Sequence, residues 1–438
     1  MRIMTKFGGS SLADASQFHK VRGIVEADGD RLFVVVSAPG RREPNDEKIT
    51  DLLLQCAERR RTGLSFRPPF ARVSERFRSI ESELGLNVGM ERELADIEHA
   101  IESGASADYI ASRGEYLTGL LLAEYLGFGF LDPAELIAFH DDGTYDDETT
   151  QRWCQKLSVK ERVVIPGFYG RKRDGSIKTF SRGGSDITGA IIARAVRADI
   201  YENWTDVDGF MMADPRIVEN PRIMELVTYS ELRELSYMGA NVLHEDSIFP
   251  VRRARIPIHV RNTNKPEASG TLIVPDGSMG VQRRQSEVTG VSGRTGFTVI
   301  TVTKDNMHKE VGFGYRLLRV LSHNNISFEN CPSGIDMMSL VIDDRNLKGK
   351  LDAVISEIRQ DCEPNTIEVT SQIALIATVG KGMVRAKGVS AKLFGALRDA
   401  GINVRLINQS SSEMNIIVGV EQRDFEAAVN AVYRAFAK

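Results

Sequence analysis

The chain has 438 residues, 42% of them hydrophobic and 26% charged. It is too long for a single core, so two or three domains of ordinary size are expected. A formal net charge of −4 removes the electrostatic case for a nucleic-acid or anionic-membrane partner, and basic clusters such as Arg59–Arg61 and Arg252–Arg255 read as solvated faces. Four scattered cysteines with no CxxC pair, no apolar run of ~18 residues and no signal-peptide core before "FGGSS" predict a soluble cytoplasmic protein.

The strand-like "RIMTKF" opens the chain. A helical stretch from Leu12 to Ala27 follows, and the form of a capping box, Ser11 to Asp14, places its start at Ser11. Unbroken apolar runs, "RLFVVVSA" at 31–38 and "ERVVIPGF" at 161–168, suit strands buried on both faces, hence a parallel sheet under helices. Residues 57–110 read as helix-rich, interrupted at Pro68–Pro69, and residues 1–285 as one large α/β domain. Residues 282–296 turn small, polar and basic, so 286–296 is expected to be a linker carrying a short strand. Beyond it the chain repeats itself. "GFGYRLLRVLSHNNISF" (312–328) superposes on "GVSAKLFGALRDAGINV" (388–404), with Leu317 on Leu393, Leu321 on Leu397 and Ile326 on Ile402. The pattern predicts two tandem ferredoxin-like βαββαβ units, at 297–371 and 372–438.

Three clusters carry chemistry. In "KFGGSS" (6–11), two glycines after a strand let backbone N–H groups approach an anion, the next helix adds its positive end, and Lys6 adds a full charge. A tight turn with a surface lysine is the alternative. In "TFSRGGSDITGAIIARAV" (179–196) a second Gly-Gly turn opens a helix, with Arg182 before it and Ser185 or Asp186 placed to cap it. In "NWTDVDGFMMADPRIV" (203–218), Thr205, Asp206, Asp208 and Asp214 form a loop suited to a nucleotide, or simply a solvated turn. No P-loop GxxxxGK[ST] occurs, and "GFGYRL" (312–317) lacks the third glycine of a dinucleotide fingerprint.

The ordered set is "KFGGSS", "VVVSA", "RGE" (113–115), "PGF" (166–168), "SRGGSD" (181–186) and "WTDVDGF…ADPR", followed by the tandem repeat. Over essentially the whole chain it resembles the aspartate kinases of the amino acid kinase family, which carry two C-terminal ACT domains. The resemblance implies an amino acid kinase fold, a parallel-rich open sheet between helices, followed by two ACT domains. It implies transfer of the ATP γ-phosphoryl group to the β-carboxylate of L-aspartate, the first step of lysine, threonine and methionine biosynthesis, with Mg²⁺ accompanying ATP and no protein metal ligand named. The acceptor carboxylate, with a free pKa of about 3.9, needs no general base; the site has to bring two anions together and neutralise the migrating charge.

By similarity Lys6 contacts the β/γ-phosphates, Gly8, Gly9 and Ser10 donate from the turn, and Asp186 organises the cations. Aspartate falls to Ser37, Thr50, Glu115 (taking the ammonium), Phe168, Arg182 (gripping a carboxylate), Gly183, Gly184, Ser185 and Asp186. ATP falls also to Thr205, Asp206, Met211, Asp214, Arg216 and Asn241. The chain departs from many relatives at Met211, where they carry tyrosine, and at Asn241, where they carry lysine. The ACT pair implies inhibition by lysine, threonine or both, through Met307, Gly312, Phe313, Ser327, Glu329, Ser333 and Asp336, with Glu329 tilting the reading to lysine. Edge-to-edge pairing of ACT sheets implies at least a homodimer. Another amino acid kinase, or a catalytically impaired amino-acid sensor, are the competing readings.

Overall fold

The computed structural model describes the chain except residues 158–160, 182, 241–242, 244, 279–285 and 438, together with the side chains of 245–247. It divides into two units. The first is Met1–Phe210, Ile223–Tyr229 and Leu243–Gln282; the second is Met211–Arg222, Ser230–Val242 and Arg283–Lys438. Residues 211–222 and 230–242, read from sequence as part of the first domain, therefore group with the second unit.

Among its described residues the first unit holds ten strands: β1 (Ile3–Phe7), β2 (Arg31–Val36), β3 (Gly129–Phe130), β4 (Val163–Pro166), β5 (Tyr169–Arg171), β6 (Ile177–Thr179), β7 (Ile200–Thr205), β8 (Leu226–Thr228), β9 (Ile258–Asn262) and β10 (Thr271–Val274). Eight of them form one sheet in the order β3-β4-β2-β1-β7-β9-β10-β8, while β5 and β6 form a hairpin. From β3 to β9 the neighbours run parallel, and only β9–β10 is antiparallel. Every residue of β1 is buried, as a strand covered on both faces must be. The helices Ile49–Arg61, Arg67–Glu83, Met90–Glu102 and Ala107–Leu126 bury Leu53, Phe77, Leu94, Ile97 and Leu121 in one core with Phe7 and Val34.

Two local expectations change. The first helix is Ala15–Glu26, capped by the Asp14 carboxylate, which accepts from the Gln17 N–H at 3.0 Å, and Gly9–Leu12 makes a 3-10 turn instead. The Ser11 hydroxyl is unavailable for capping because it bonds the Thr263 hydroxyl at 2.7 Å. Pro68 and Pro69 open the helix Arg67–Glu83 and do not interrupt it, since first-turn N–H groups have no helical partner to lose.

In the second unit β11 (Gly290–Thr303), β12 (Met337–Asp343), β13 (Thr366–Val379), β14 (Leu406–Asn408) and β15 (Asn415–Glu421) form an antiparallel sheet in the order β12-β11-β13-β15-β14. The repeat is visible in its packing. Leu317, Leu321 and Ile326 are buried in one core, and their counterparts Leu393, Leu397 and Ile402 in another. The two repeats share their longest strands. Phe297–Thr303 of β11 pairs with β12 and with the start of β13, while Gly290–Arg294 of the same strand pairs with Leu375–Val379. The segment read as a linker thus supplies an edge strand to the second repeat. The register breaks between Arg294 and Phe297, where the strand passes from one repeat to the other.

Val291 is buried in the second repeat's core. Val291→Asp is expected to cost about 3 kcal/mol or more by burying an unpaired charge. Hydrogen exchange should speed up in β15 while the helix Phe313–His323 keeps its protection; equal loosening of both repeats would contradict this division of the strand.

Candidate active site

Parallel pairing carries Lys6 of β1 opposite Asn203 of β7, and the carboxyl ends of β1, β2, β4 and β7 share one edge. There the buried Lys6 ammonium lies 2.8 Å from Asp186 Oδ1, and Asn203 Nδ2 donates to the same oxygen at 2.8 Å. Asp186 stands in the first turn of the helix Gly184–Ala195. Gly183 is its N-cap, in the left-handed region at φ 57°, with no side chain among the described residues capping the free N–H groups. A cation and an uncapped helix start therefore face the same edge.

The loops reach this edge through contacts that side chains would block. A Cβ on Gly9 would stand 2.8 Å from the Ala38 carbonyl, and the Gly40 N–H donates to the Gly9 carbonyl at 2.7 Å. A Cβ on Gly167 would meet Ser185 at 2.7 Å, and one on Gly184 would meet the Phe168 ring at 2.5 Å. Phe168 itself sits at φ 81°, unusual for a bulky residue, held by its N–H donating to Thr188 Oγ1 at 3.0 Å. Ser37 is tied to β1 by its N–H, which donates to the Phe7 carbonyl at 3.2 Å.

Glu115 lies inside the helix Ala107–Leu126 and is 4% exposed. Burial pushes its carboxyl up to about 8, moderated by the Ala38 amide and by Arg113, and its Oε2 has no hydrogen-bond partner among the described residues. Gly114 permits the approach, because a Cβ there would come 2.7 Å from the Ala38 side chain and 3.2 Å from Ile49, the residue before Thr50. A buried carboxylate with an unused oxygen is chemically fitted to a cation.

Side by side with this geometry stand the similarities to known proteins. The amino acid kinase family model matches residues 1–262 and an ACT domain model matches residues 376–436. Aspartokinase 3 of Bacillus subtilis is 36% identical over 453 residues, covering 99% of this chain and 98% of that protein. The chain belongs to the aspartokinases of the amino acid kinase family. It is an ATP-dependent aspartate kinase with a C-terminal ACT region. Among solved structures, aspartate kinase of Clostridium acetobutylicum is 48% identical with a TM-score of 0.88, each chain 99% covered. Escherichia coli aspartokinase III, solved in complex with aspartate and ADP and again with lysine and aspartate, is 27% and 26% identical with TM-scores of 0.73 and 0.71, each chain fully covered.

Within this aspartokinase the residues expected from sequence fall into groups. Lys6, Gly8, Gly9, Ser10, Ser37, Phe168, Gly183, Gly184, Ser185 and Asp186 lie at or beside the sheet edge, and Glu115 contacts it through Ala38. Thr205 ends β7 and its hydroxyl bonds the Asp206 carboxylate at 3.2 Å. The better-held acid of that loop is Asp208, which accepts from Asn262 and pairs with Lys265 at 2.9 Å. Met211, Asp214 and Arg216 belong to the second unit, where Asp214 and Arg216 pair at 2.6 Å. Arg182 and Asn241 lie outside the described residues. Asn203, Thr188 and Gly40 were not anticipated, because their role follows from strand register and loop approach and not from any motif.

Of the expected effector residues, Met307 and Phe313 are buried in the first repeat's core, and Gly312 caps a helix at φ 86°. Ser327 accepts from Asn346 Nδ2, Ser333 bridges to Met338, and the Asp336 carboxylate stands 3.8 Å from His308. Glu329 is already paired with Arg294 at 3.2 Å, which weakens the sequence argument that it awaits a lysine ammonium.

Because the folded-state pKa of Glu115 lies above the ordinary carboxylate value, its contribution to stability is full below about pH 4.5 and is lost as pH rises through about 8. Glu115→Gln is expected to melt higher than the parent at pH 9, with the gain vanishing near pH 5, while its KM for aspartate exceeds the parent's by about 100-fold at pH 8.5 and by progressively less toward pH 6. In the parent, KM for aspartate should fall between pH 6 and 8.5 as the carboxyl ionises; a flat profile would remove Glu115 from the site.

Proposed function

We propose that Lys6 and the Gly8–Gly9–Ser10 turn hold the terminal phosphates of ATP, and that Glu115, Ser185 and the Gly183–Gly184 turn, with Arg182, hold aspartate opposite them. The observation supporting this reading most directly is the Lys6–Asp186–Asn203 cluster at the carboxyl edge of the sheet. An aspartate β-carboxylate oxygen attacks the γ-phosphorus, the bond to the β–γ bridging oxygen breaks, and ADP leaves with that oxygen's charge. Nothing is deprotonated, so the protein's work is positioning and charge neutralisation. Asp186 orients Lys6 before the nucleotide arrives, and the ammonium then turns to the phosphoryl oxygens. Thr205 and Asp206 take the nucleoside end.

Mg²⁺ belongs with ATP in this reading, held by phosphate oxygens and water. Among the described residues no group of three or more His, Cys, Asp or Glu is placed to hold a metal ion. We place the reaction at the head of lysine, threonine and methionine biosynthesis in the cytoplasm; no described helix is long and apolar enough to cross a membrane. Feedback by an amino acid acts through the second unit. The lysine-bound Escherichia coli structure supports lysine as the first effector to test, with threonine beside it. A homodimer through the ACT repeats is supported by the exposed apolar side chains Val311, Tyr315, Ile335 and Met337.

Lys6→Ala is expected to lower kcat by about 100-fold or more with the fold intact, read by trapping the acyl phosphate with hydroxylamine. Full kcat in that variant would overturn the role of the turn. With the parent enzyme, lysine or threonine should inhibit at millimolar concentration or below; activity indifferent to both would remove the feedback assignment.

A further inference from the structure

On the face of the sheet reached by Trp204, the residue after Asn203, the first unit holds a cavity of about 490 Å³ that no part of the reaction uses. Its wall comes from the first helix and the start of β2 (Lys20, Gly23, Ile24, Ala27, Asp28, Arg31), from Trp204, and from the end of β9 and the loop after it (Arg261, Thr263, Asn264, Pro266). Three cations line it against one carboxylate, Asp28. Behind the wall the buried Glu202 is already engaged. It accepts two hydrogen bonds from Arg31, at 2.8 and 3.1 Å, and one from Trp204 Nε1 at 2.9 Å.

Arg261 is only partly engaged. It lies across the Trp204 ring at 4.5 Å, its Nη2 donates to the Pro266 carbonyl at 2.6 Å, its Nη1 stands 3.5 Å from Glu202, and its buried Nε has no hydrogen-bond partner among the described residues. Among the described residues the Lys20 ammonium meets only the neutral Asn264 amide oxygen, at 2.7 Å. Gly23, in the middle of a helix where glycine is unfavourable, keeps the opening clear: nothing stands within 4 Å of where its Cβ would be. The floor of Ile24 and Ala27 is apolar. The volume is that of a metabolite site.

We infer that this cavity is a second ligand site, taking a small organic anion whose carboxylate or phosphate meets Arg261 and Lys20 and whose short apolar body lies on Ile24 and Ala27. Two of its wall residues touch the phosphate turn. The Trp204 carbonyl accepts the Gly8 N–H at 3.0 Å, and the Thr263 hydroxyl bonds the Ser11 hydroxyl at 2.7 Å. Occupancy therefore bears on the nucleotide end of the reaction and alters KM for ATP.

The test uses the full chain saturated with Mg-ADP, titrated with benzoate and with phenyl phosphate, against inorganic phosphate as the probe without an apolar body. Calorimetry reads binding, and Trp204 fluorescence in a Trp153→Phe background reports its place. One organic probe is expected to bind once per chain at millimolar concentration or tighter, benzoate marking a carboxylate ligand and phenyl phosphate a phosphate ester. Arg261→Gln and Lys20→Gln should each weaken it about 10-fold. Gly23→Leu, which favours the helix while filling the opening, should abolish it with the melting temperature maintained. Lys6→Ala should bind the probe as the parent does, which separates this site from the phosphate turn. The bound probe should shift KM for ATP at least about two-fold in the parent and not in Lys20→Gln. No saturable binding, binding matched by inorganic phosphate, or binding that survives both Lys20→Gln and Gly23→Leu would overturn the proposal.

Discussion

The arrangement rests on one buried ion pair. Lys6 sits on a strand covered on both faces, so its ammonium has lost most of its water, and the Asp186 carboxylate 2.8 Å away is what makes that position tolerable. Taking the ammonium out of water costs several kcal/mol, offset by its attraction to the partly exposed Asp186 carboxylate, which the Asn203 hydrogen bond holds in place. Such a pair adds little net stability. Its effect is geometric: it draws the start of the helix Gly184–Ala195 onto the end of β1 and holds a cation where an anion has to bind.

Around that pair, the loops converge because glycine lets backbone approach backbone. The contacts of Gly9 with Ala38, Gly114 with Ala38, Gly167 with Ser185 and Gly184 with Phe168 are each too close for a Cβ. Phe168 accepts a positive φ to stay in the cluster, a strain the Thr188 hydrogen bond helps to hold. Glu115 is a second local cost, since burial of its carboxyl disfavours its own ionised form. These unfavourable features collect at one edge of an otherwise regular sheet, as expected of a site organised for a ligand and not for stability.

The second unit obeys a different constraint. Its two repeats share β11 and β13, so they form one sheet over two separate cores. A displacement of the loops beside Met307 and Gly312 acts on strands whose other halves belong to the neighbouring repeat. Main-chain hydrogen bonds along fourteen-residue strands transmit such a shift more directly than a flexible linker would.

Much of this was readable in the residues. Unbroken apolar runs announced strands buried on both faces, Leu317 and Leu393 announced the repeat, and "KFGGSS" with "SRGGSD" announced two anion-facing turns, because each signal lies within one short segment. Glycine, lysine and aspartate at those spacings carry their chemistry wherever the chain places them. What only the tertiary structure decided depends on distant segments meeting. Asn203 joins Lys6 and Asp186 through strand register, Ser11 gives up its cap to Thr263, residues 290–294 complete a repeat that follows them by some eighty positions, and Arg294 claims Glu329. Local sequence sets what a residue is able to do; which partner it finds is settled by packing across the fold, and hydrogen bonds and ion pairs fall off too steeply with distance to be read before that packing is known.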